Sequence, residues 1–143
     1  MLFDISKKTR YAILALLELA IRSTTAPANA RKLALNNGLP VRFLEVILNE
    51  LKQGGFVLSV RGKSGGYILA RPAGEIGVAE VLNFFETRSS EPSELTDSGC
   101  FGIDSLIRQA NTAVSEIFAE CTLETLVQRE MEHRNTIETN YVI

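Results

Sequence analysis

Four side chains suited to contact with a nucleic acid recur along one stretch of the sequence. Arg42, Glu45, Val46 and Asn49 are spaced so that they share one face if residues 41–53 form a helix. Arginine, glutamate and asparagine carry the donors and acceptors that read base edges in the major groove, and valine offers apolar contact, for instance to a thymine methyl group. The spacing therefore predicts a helix whose exposed face can contact base pairs.

Basic residues lie on either side of this stretch in the sequence. Residues 61–66, Arg-Gly-Lys-Ser-Gly-Gly, combine two cations with the glycines of a tight turn, which suits contact with phosphates or with the minor groove. Lys7, Lys8 and Arg10 lie near the amino end. Plain surface charge would explain them, but we favour phosphate binding because they open a basic half of the chain.

The charge is divided between the two halves of the sequence. Residues 1–72 hold 11 Lys and Arg against 4 Asp and Glu, a net charge of +7. Residues 73–143 hold 4 Lys and Arg against 13 Asp and Glu, a net charge of −9. This division suggests separate roles for the halves, with the first facing a polyanion.

Side chains for other chemistry are poorly represented. The only histidine of the sequence, His133, is near the carboxyl end, so no serine or cysteine has a convincing base, and no carboxylate pair has a recognisable catalytic spacing. Gly62-Lys63-Ser64 matches the end of a phosphate-binding loop, but the first glycine of that motif is missing and a strand follows. The sequence therefore predicts that the protein is not an enzyme.

The elements that hold the basic and polar residues can be predicted from apolar spacing and from helix caps. Ser6 and Asn29 are suitable N-cap residues, Gly38 can end a helix, and Pro40 can start the next one. The predicted helices cover residues 7–22, 30–36 and 41–53, and the predicted strands cover residues 56–60 and 67–71. Two short helices joined by a tight turn and followed by a hairpin predict a winged helix-turn-helix domain.

The carboxyl-terminal half predicts further helices, a short one around residues 78–85 and a last one that Thr122 can cap. Between them, eight apolar residues alternate three and four apart, as in a seam between helices. They are Ile103, Leu106, Ile107, Ala110, Ala113, Val114, Ile117 and Phe118. The seam predicts packing onto the first helix or, alternatively, onto a second copy of the chain, since duplex readers commonly pair to match two half-sites.

The predicted fold is mainly α with a small β-hairpin, a winged helix-turn-helix domain plus a long C-terminal dimerisation helix. We expect the DNA-binding domain over residues 1–86, a flexible loop over 87–102, dimerisation helices over 103–133 and a tail over 134–143.

Cysteine content and hydropathy indicate the compartment. Two cysteines are too few for a disulfide framework and suggest a reducing cytosol. The apolar run 11–21 follows basic residues as in a signal peptide, but it contains Glu18 and is too short to span a membrane. We therefore expect a cytoplasmic protein without membrane contact.

Three segments resemble the bacterial winged-helix regulators typified by IscR, NsrR and CymR: KTRYAILALLELA, LPVRFLEVILNELKQGGFVLSVRGKSGGYILAR and TLETLV. The resemblance implies a homodimeric transcription factor whose long carboxyl-terminal helix pairs the subunits. It also implies that Arg42, Phe43 and Glu45 lie at the major groove and Arg61 at the minor groove. Many members carry glutamine where this chain has Val46, so their base preference at that position is not carried over.

The residues and the resemblance together define the candidate DNA contacts. They are Lys7, Lys8, Arg10, Arg31, Val41, Arg42, Phe43, Glu45, Val46, Asn49, Arg61, Gly62, Lys63 and Ser64.

Metal binding is the main departure from the family. Cluster-binding members carry three cysteines in the loop before the dimer helix, whereas here that loop contains only Cys100. Iron–sulfur clusters need several thiolates or imidazoles around one centre. We therefore expect no metal site and no cofactor, unless two subunits share ligands for an iron–sulfur cluster. Cys100 is a candidate ligand in that case, or a candidate redox thiol, and an inert thiol is the alternative.

These observations predict a DNA-binding transcription regulator, a homodimeric repressor at a palindromic promoter site. Its expected partners are double-stranded DNA, a second copy of itself, and a small-molecule or protein effector. The alternative is a winged-helix interaction module that senses a partner metabolic enzyme. Salt-dependent affinity for duplex DNA separates the two hypotheses.

Overall fold

The computed structural model describes residues 4–22, 26–89 and 99–141, except for the side chains of 87–89 and 138–141. In chain order, the elements are α1 (Lys7–Ile21), α2 (Ala30–Asn37), α3 (Val41–Gln53), β1 (Val57–Val60), β2 (Gly66–Leu69), a 3-10 turn (Ala73–Glu75), α4 (Val78–Ser89), α5 (Phe101–Glu120) and α6 (Leu123–Tyr141). The predicted fold class, mainly helical with one antiparallel hairpin, is confirmed. None of the described helices is long and apolar enough to cross a membrane.

Three helices begin at the N-cap residues that the sequence predicts for them. Ser6 Oγ accepts from the backbone N–H of Thr9 at 3.2 Å, and Asn29 Oδ1 accepts from Lys32 at 2.8 Å. Thr122 Oγ1 accepts from the N–H of Thr125 at 3.3 Å. Each bond satisfies a backbone donor that the first turn of a helix leaves unpaired.

The core surrounds α1, which is apolar on nearly all sides. α1 packs against α3, α4 and α6, and α2 packs against α3. The largest fully buried apolar side chains are Leu16, Leu33, Leu44, Ile47, Leu48, Leu51, Ile76, Leu123, Val57 and Val81. Full burial of one such side chain contributes roughly 1.5–3 kcal/mol to the stability of the fold. Because four of these side chains belong to α3, their burial fixes the orientation of this helix.

The hairpin is attached to the helices at both ends. β1 and β2 pair in antiparallel register, with Val57 opposite Leu69 and Val60 opposite Gly66. Ala28, just before α2, exchanges two backbone hydrogen bonds with Tyr67, at 3.1 and 2.8 Å. A Cβ atom on Gly66 would lie 2.5 Å from the carbonyl carbon of Ala28, so this close approach requires glycine.

Helices extend into the segment predicted as a loop. The loop predicted over 87–102 is shorter at both ends, because α4 continues to Ser89 and α5 begins at Phe101. The sequence after Phe85 contains no helix breaker before Pro92, which disfavours helix at the residue before it. Residues 90–98 of that loop lie outside the described part of the chain.

The tail predicted over 134–143 is instead helical to Tyr141, and residues 142–143 lie outside the description. Arg134 explains part of this difference. It pairs with Glu130 one turn earlier, at 3.1 Å, and with Glu18 of α1, at 3.4 Å. An i,i+4 ion pair supports a polar helix that lacks an apolar stripe. α6 also contributes Leu123 to the core.

Candidate nucleic-acid interface

A tight turn joins α2 to α3. Gly38 takes the left-handed conformation, with φ 64°, that commonly ends a helix. Leu39 N–H then donates to the carbonyl of Ala34 at 3.0 Å, and α3 begins two residues later. This arrangement of two short helices is a helix-turn-helix.

α3 has one buried face and one exposed face, as the sequence predicts. Leu44, Ile47, Leu48 and Leu51 are at most 1% exposed. The opposite face carries Arg42, Glu45, Val46 and Asn49, which are all exposed. The exposed face therefore combines a cation, a carboxylate, an amide and a valine that is 53% exposed, a set that can contact base edges.

Two contacts with α1 position α3, and sequence reasoning missed both. Lys8 Nζ lies 2.6 Å from Glu50 Oε1, and the ring of Tyr11 packs edge-on against Phe43 with centroids 5.5 Å apart. Glu50 lies on α3 outside the predicted contact face and 42 positions from Lys8, so no local spacing links the two. Lys8, for which we predict phosphate binding, is therefore paired with a carboxylate in this structure.

The tip of the hairpin presents its cations to solvent. The N–H of Gly65 donates to the carbonyl of Gly62 at 3.0 Å, closing a turn. Arg61, Gly62, Lys63 and Ser64 are exposed. Within the described ranges, neither Arg61 nor Lys63 is paired with a carboxylate. The hairpin, hereafter the wing, can therefore offer both cations to a polyanion.

The remaining predicted contacts are distributed over α1, α2 and the start of α3. Lys7 is exposed, and Arg10 is exposed but lies 3.6 Å from Asp4. Arg31 is exposed at the start of α2, and Val41 is exposed at the start of α3. Lys32, which was not among the predicted contacts, is exposed beside Arg31. Its position next to another basic residue in the sequence could have identified it as a candidate contact.

α5 has an uncovered apolar face. Its main contact among the described elements is with α4, and no residue of this helix is buried by the described chain. Val114 and Phe118 are half-buried. Other apolar side chains of α5 are between 45% and 82% exposed: Phe101, Ile103, Leu106, Ile107 and Ile117.

The fold and this interface define a winged-helix protein built to contact duplex DNA. The family profile described as "Rrf2: Iron-dependent Transcriptional regulator" matches residues 5–129. The chain belongs to the Rrf2 family, and it is therefore a DNA-binding transcription regulator rather than an enzyme, as the sequence predicts.

Individual relatives agree with this assignment. The HTH-type transcriptional regulator IscR of Xenorhabdus nematophila is 31% identical over 131 residues, which cover 88% of this chain and 80% of the relative. IscR of an Enterobacter species is 33% identical over 106 residues, covering 74% of this chain and 65% of that protein. The structure of CymR, the global cysteine regulator of B. subtilis, superposes with a TM-score of 0.80 at 28% identity, covering 89% of this chain and 98% of CymR. These similarities support the assignment of the chain as a transcription regulator. They give no support to the alternative, an interaction module that senses a metabolic enzyme.

The iron named in the family description does not fit the donor set of this chain. The sequence has two cysteines, Cys100 and Cys121. The 20 residues of α5 separate them, a span of roughly 30 Å at 1.5 Å per residue. Among the described residues, no group of three or more His, Cys, Asp or Glu side chains is arranged to hold a metal ion. The described part of one chain therefore does not supply the converging ligands of a cluster.

Proposed function

We propose that the protein is a cytoplasmic homodimeric repressor that binds a palindromic promoter site. The observation that carries this proposal is the exposed face of α3, which is held on the core by four buried side chains and presents polar groups and one valine outward. A helix of this kind, delivered by a helix-turn-helix, is the element that enters the major groove.

The side chains of α3 have different roles in base recognition. Arg42 and Asn49 supply donors, with guanine and adenine as their preferred bases, and Glu45 accepts from a cytosine amino group. Val46 contacts a thymine methyl group. Phe43 and Val41, each 36% exposed, lie beside these residues and contribute apolar surface at the edge of the groove.

The wing and the amino-terminal cations position the protein on the duplex. Arg61 enters the minor groove, whose negative potential attracts guanidinium. Lys63, Lys7 and Arg31 bind phosphates, with Gly62 and Ser64 approaching the backbone beside Lys63. Arg10 contributes once its contact with Asp4 opens, and Lys8 acts by holding Glu50 of α3.

The uncovered face of α5 pairs two subunits. Ile103, Leu106, Ile107 and Ile117 lie within about a third of the circumference of the helix, and a second α5 related by a two-fold axis would cover them. Two-fold symmetry of the protein requires two inverted half-sites in the DNA. Occupation of such a site at a promoter blocks transcription.

The proposed regulator acts without an iron–sulfur cluster. Protein purified anaerobically should be colourless and carry no stoichiometric iron or sulfide. An iron and sulfide content close to one cluster per subunit or per dimer would contradict this part of the proposal. The Cys100→Ser variant would then test whether Cys100 is a ligand of that cluster.

Direct binding of DNA is the test of the proposed function. Genomic fragments that co-purify with the protein supply a preferred duplex, and fluorescence anisotropy gives its affinity and that of a scrambled duplex across a salt series. We expect preference for the selected duplex and affinity that falls steeply with salt. Equal, salt-independent binding to both duplexes would overturn the proposal.

A further inference from the structure

Two contacts join α1 to a single edge of α3. Lys8 Nζ lies 2.6 Å from Glu50 Oε1, and the ring of Tyr11 meets that of Phe43 at an interplanar angle of 87°. Phe43 and Glu50 are seven positions apart, about two turns, so they lie on one stripe of α3. Lys8 and Tyr11 are three positions apart and lie on one side of α1. The two helices are therefore joined at two points, roughly 10 Å apart along α3 at 1.5 Å per residue.

The stripe that carries these contacts borders the face proposed to read bases. Val46 follows Phe43 by three positions and precedes Glu50 by four, so it is a neighbour of both on the surface of the helix. On its other side the stripe borders Ile47, which is completely buried. Contacts at this boundary between core and exposed face control the rotation of α3 about its own axis.

The turn of α1 that carries Lys8 is itself fixed from α4. Glu86 Oε1 accepts from the backbone N–H of Ser6 at 3.0 Å and from the hydroxyl of Thr9 at 2.8 Å. Thr9 is completely buried. Lys8 lies between these two anchored residues, so its side chain reaches Glu50 from a fixed backbone.

The same ion pair changes the charge that α1 can offer to DNA. Lys7 is exposed, and within the described ranges it has no ion pair. Lys8, its neighbour, is 42% exposed and is partly neutralised by Glu50, which is 23% exposed. An ion pair at this exposure adds little to stability. Its loss should therefore change the position of α3 and the available positive charge more than it changes the stability of the fold.

We propose that Glu50 is a specificity-determining residue that acts through Lys8 rather than through contact with DNA. By holding Lys8, Glu50 fixes the rotation of α3 and withholds one cation from the phosphates. The first effect strengthens binding to the preferred duplex, and the second weakens binding to every duplex, so together they widen discrimination. The effect on discrimination rests on the proposed function, whereas the effect on the orientation of α3 does not.

The Glu50→Gln variant tests the proposal, because it removes the charge and keeps the size of the side chain. Anisotropy across a salt series should show tighter binding to the scrambled duplex, with a salt slope steeper by about one, since Lys8 is released to a phosphate. The preferred duplex should not gain in this way, because the released α3 loses base contacts. The ratio of the two affinities should fall by about 3-fold or more, within the range measured for residues in contact.

Glu80→Gln is the matched control, because it removes the same charge from the exposed ion pair between α4 and Arg71. It should leave the ratio of affinities unchanged. An equal rise in affinity for both duplexes in Glu50→Gln would overturn the proposal, since Glu50 would then be only a resting partner of a phosphate-binding lysine. An equal loss for both duplexes with a lowered urea midpoint would overturn it too, since the pair would then be purely structural.

Two neighbouring lysines separate positioning from phosphate binding. Lys8→Met should reduce discrimination and leave the salt slope unchanged, whereas Lys7→Met should keep discrimination and reduce the slope by about one. In the double variant Lys8→Met/Glu50→Gln, the gain on the scrambled duplex should disappear, because the released cation is gone. A salt slope that falls by one in Lys8→Met would contradict the proposed role of the pair.

The orientation of α3 is measured separately, without DNA. Residual dipolar couplings of the α3 amides in the full chain report its orientation relative to α1. They should change in Glu50→Gln and stay the same in Glu80→Gln, and unchanged couplings in Glu50→Gln would overturn the positioning role. Failure of the wild type to prefer the selected duplex would overturn the proposed function and would leave the result on orientation intact.

Discussion

α3 and α5 are both amphipathic helices, but they leave opposite kinds of surface uncovered. α3 buries its leucines and isoleucine completely and exposes Arg42, Glu45 and Asn49. α5 buries no residue within the described chain and leaves isoleucines and a leucine exposed. A polar, hydrogen-bonding face suits the edges of base pairs, whereas an apolar face suits another apolar face. The chemistry of the uncovered face thus indicates the partner of each helix.

The largest expected effect comes from placing a charge in the apolar face of α5. Ile107→Glu would bury an unpaired carboxylate between subunits, which costs several kcal/mol, and should convert the dimer to a monomer of 15.7 kDa by light scattering. Loss of one of two linked half-site contacts should lower DNA affinity by roughly 100-fold or more.

Ser105→Glu is the matched control, because Ser105 is exposed on the opposite side of α5. It should remain dimeric and bind DNA normally. A monomeric wild type, or a dimeric Ile107→Glu variant, would show that the exposed face of α5 has a different partner.

The next prediction compares how an added methyl group in the wing and one in α5 change the free energy of unfolding. Gly66→Ala places a methyl group against the backbone of Ala28 and should cost roughly 1–3 kcal/mol of unfolding free energy. Gly102 lies in α5, and no atom lies within 4 Å of the carbon that alanine would add. Gly102→Ala should therefore stabilise the fold by up to about 1 kcal/mol, because alanine is the better helix former. Urea denaturation measures both, and equal effects would mean that the wing is not held closely by Ala28.

A smaller effect tests Val46, the valine that lies among Arg42, Glu45 and Asn49 on the exposed face of α3. Replacing the contacted thymine of the preferred duplex by uracil removes a single methyl group, worth about 0.8 kcal/mol or roughly 4-fold in affinity. Wild-type protein should show this loss at one position of each half-site, and Val46→Ala should not. A variant that still distinguishes thymine from uracil would exclude Val46 as the reader.

The smallest effect concerns the pH dependence of the contact between α1 and α4. The pKa of Glu86 lies below its ordinary value of 4.5 in the folded protein, chiefly through the backbone N–H of Ser6. Its stabilising effect is therefore complete above pH 4.5 and is lost as the pH falls through the lowered pKa.

The Glu86→Gln variant lacks this titration. The difference in unfolding free energy between wild type and variant, measured in urea, should be constant above pH 4.5 and should shrink as the pH falls from 4.5 through the lowered pKa. Glu116→Gln, on the exposed surface of α5, is the control. A difference that stays constant over this range would show that Glu86 does not stabilise the fold through its charge.

Local signals explain what the sequence could predict. Ser6, Asn29 and Gly38 act within one turn of their own positions, and the apolar spacing of α3 is complete within 13 residues. The contact between Lys8 and Glu50 joins residues 42 positions apart, and the one from Arg134 to Glu18 spans 116 positions. Side chains alone do not identify such pairs, which is why neither the ion pair of Lys8 nor the full length of α6 was predicted.

The central claim, that α3 reads bases and cations elsewhere hold phosphates, is tested most directly by comparing Arg42→Ala with Lys7→Ala. Both side chains are exposed cations, and binding is measured on the preferred and scrambled duplexes across a salt series. Arg42→Ala should cost about 1–3 kcal/mol on the preferred duplex and relax discrimination, whereas Lys7→Ala should weaken both duplexes equally and reduce the salt slope by about one. Unchanged affinity and discrimination in Arg42→Ala would contradict the assignment of α3 as the recognition helix.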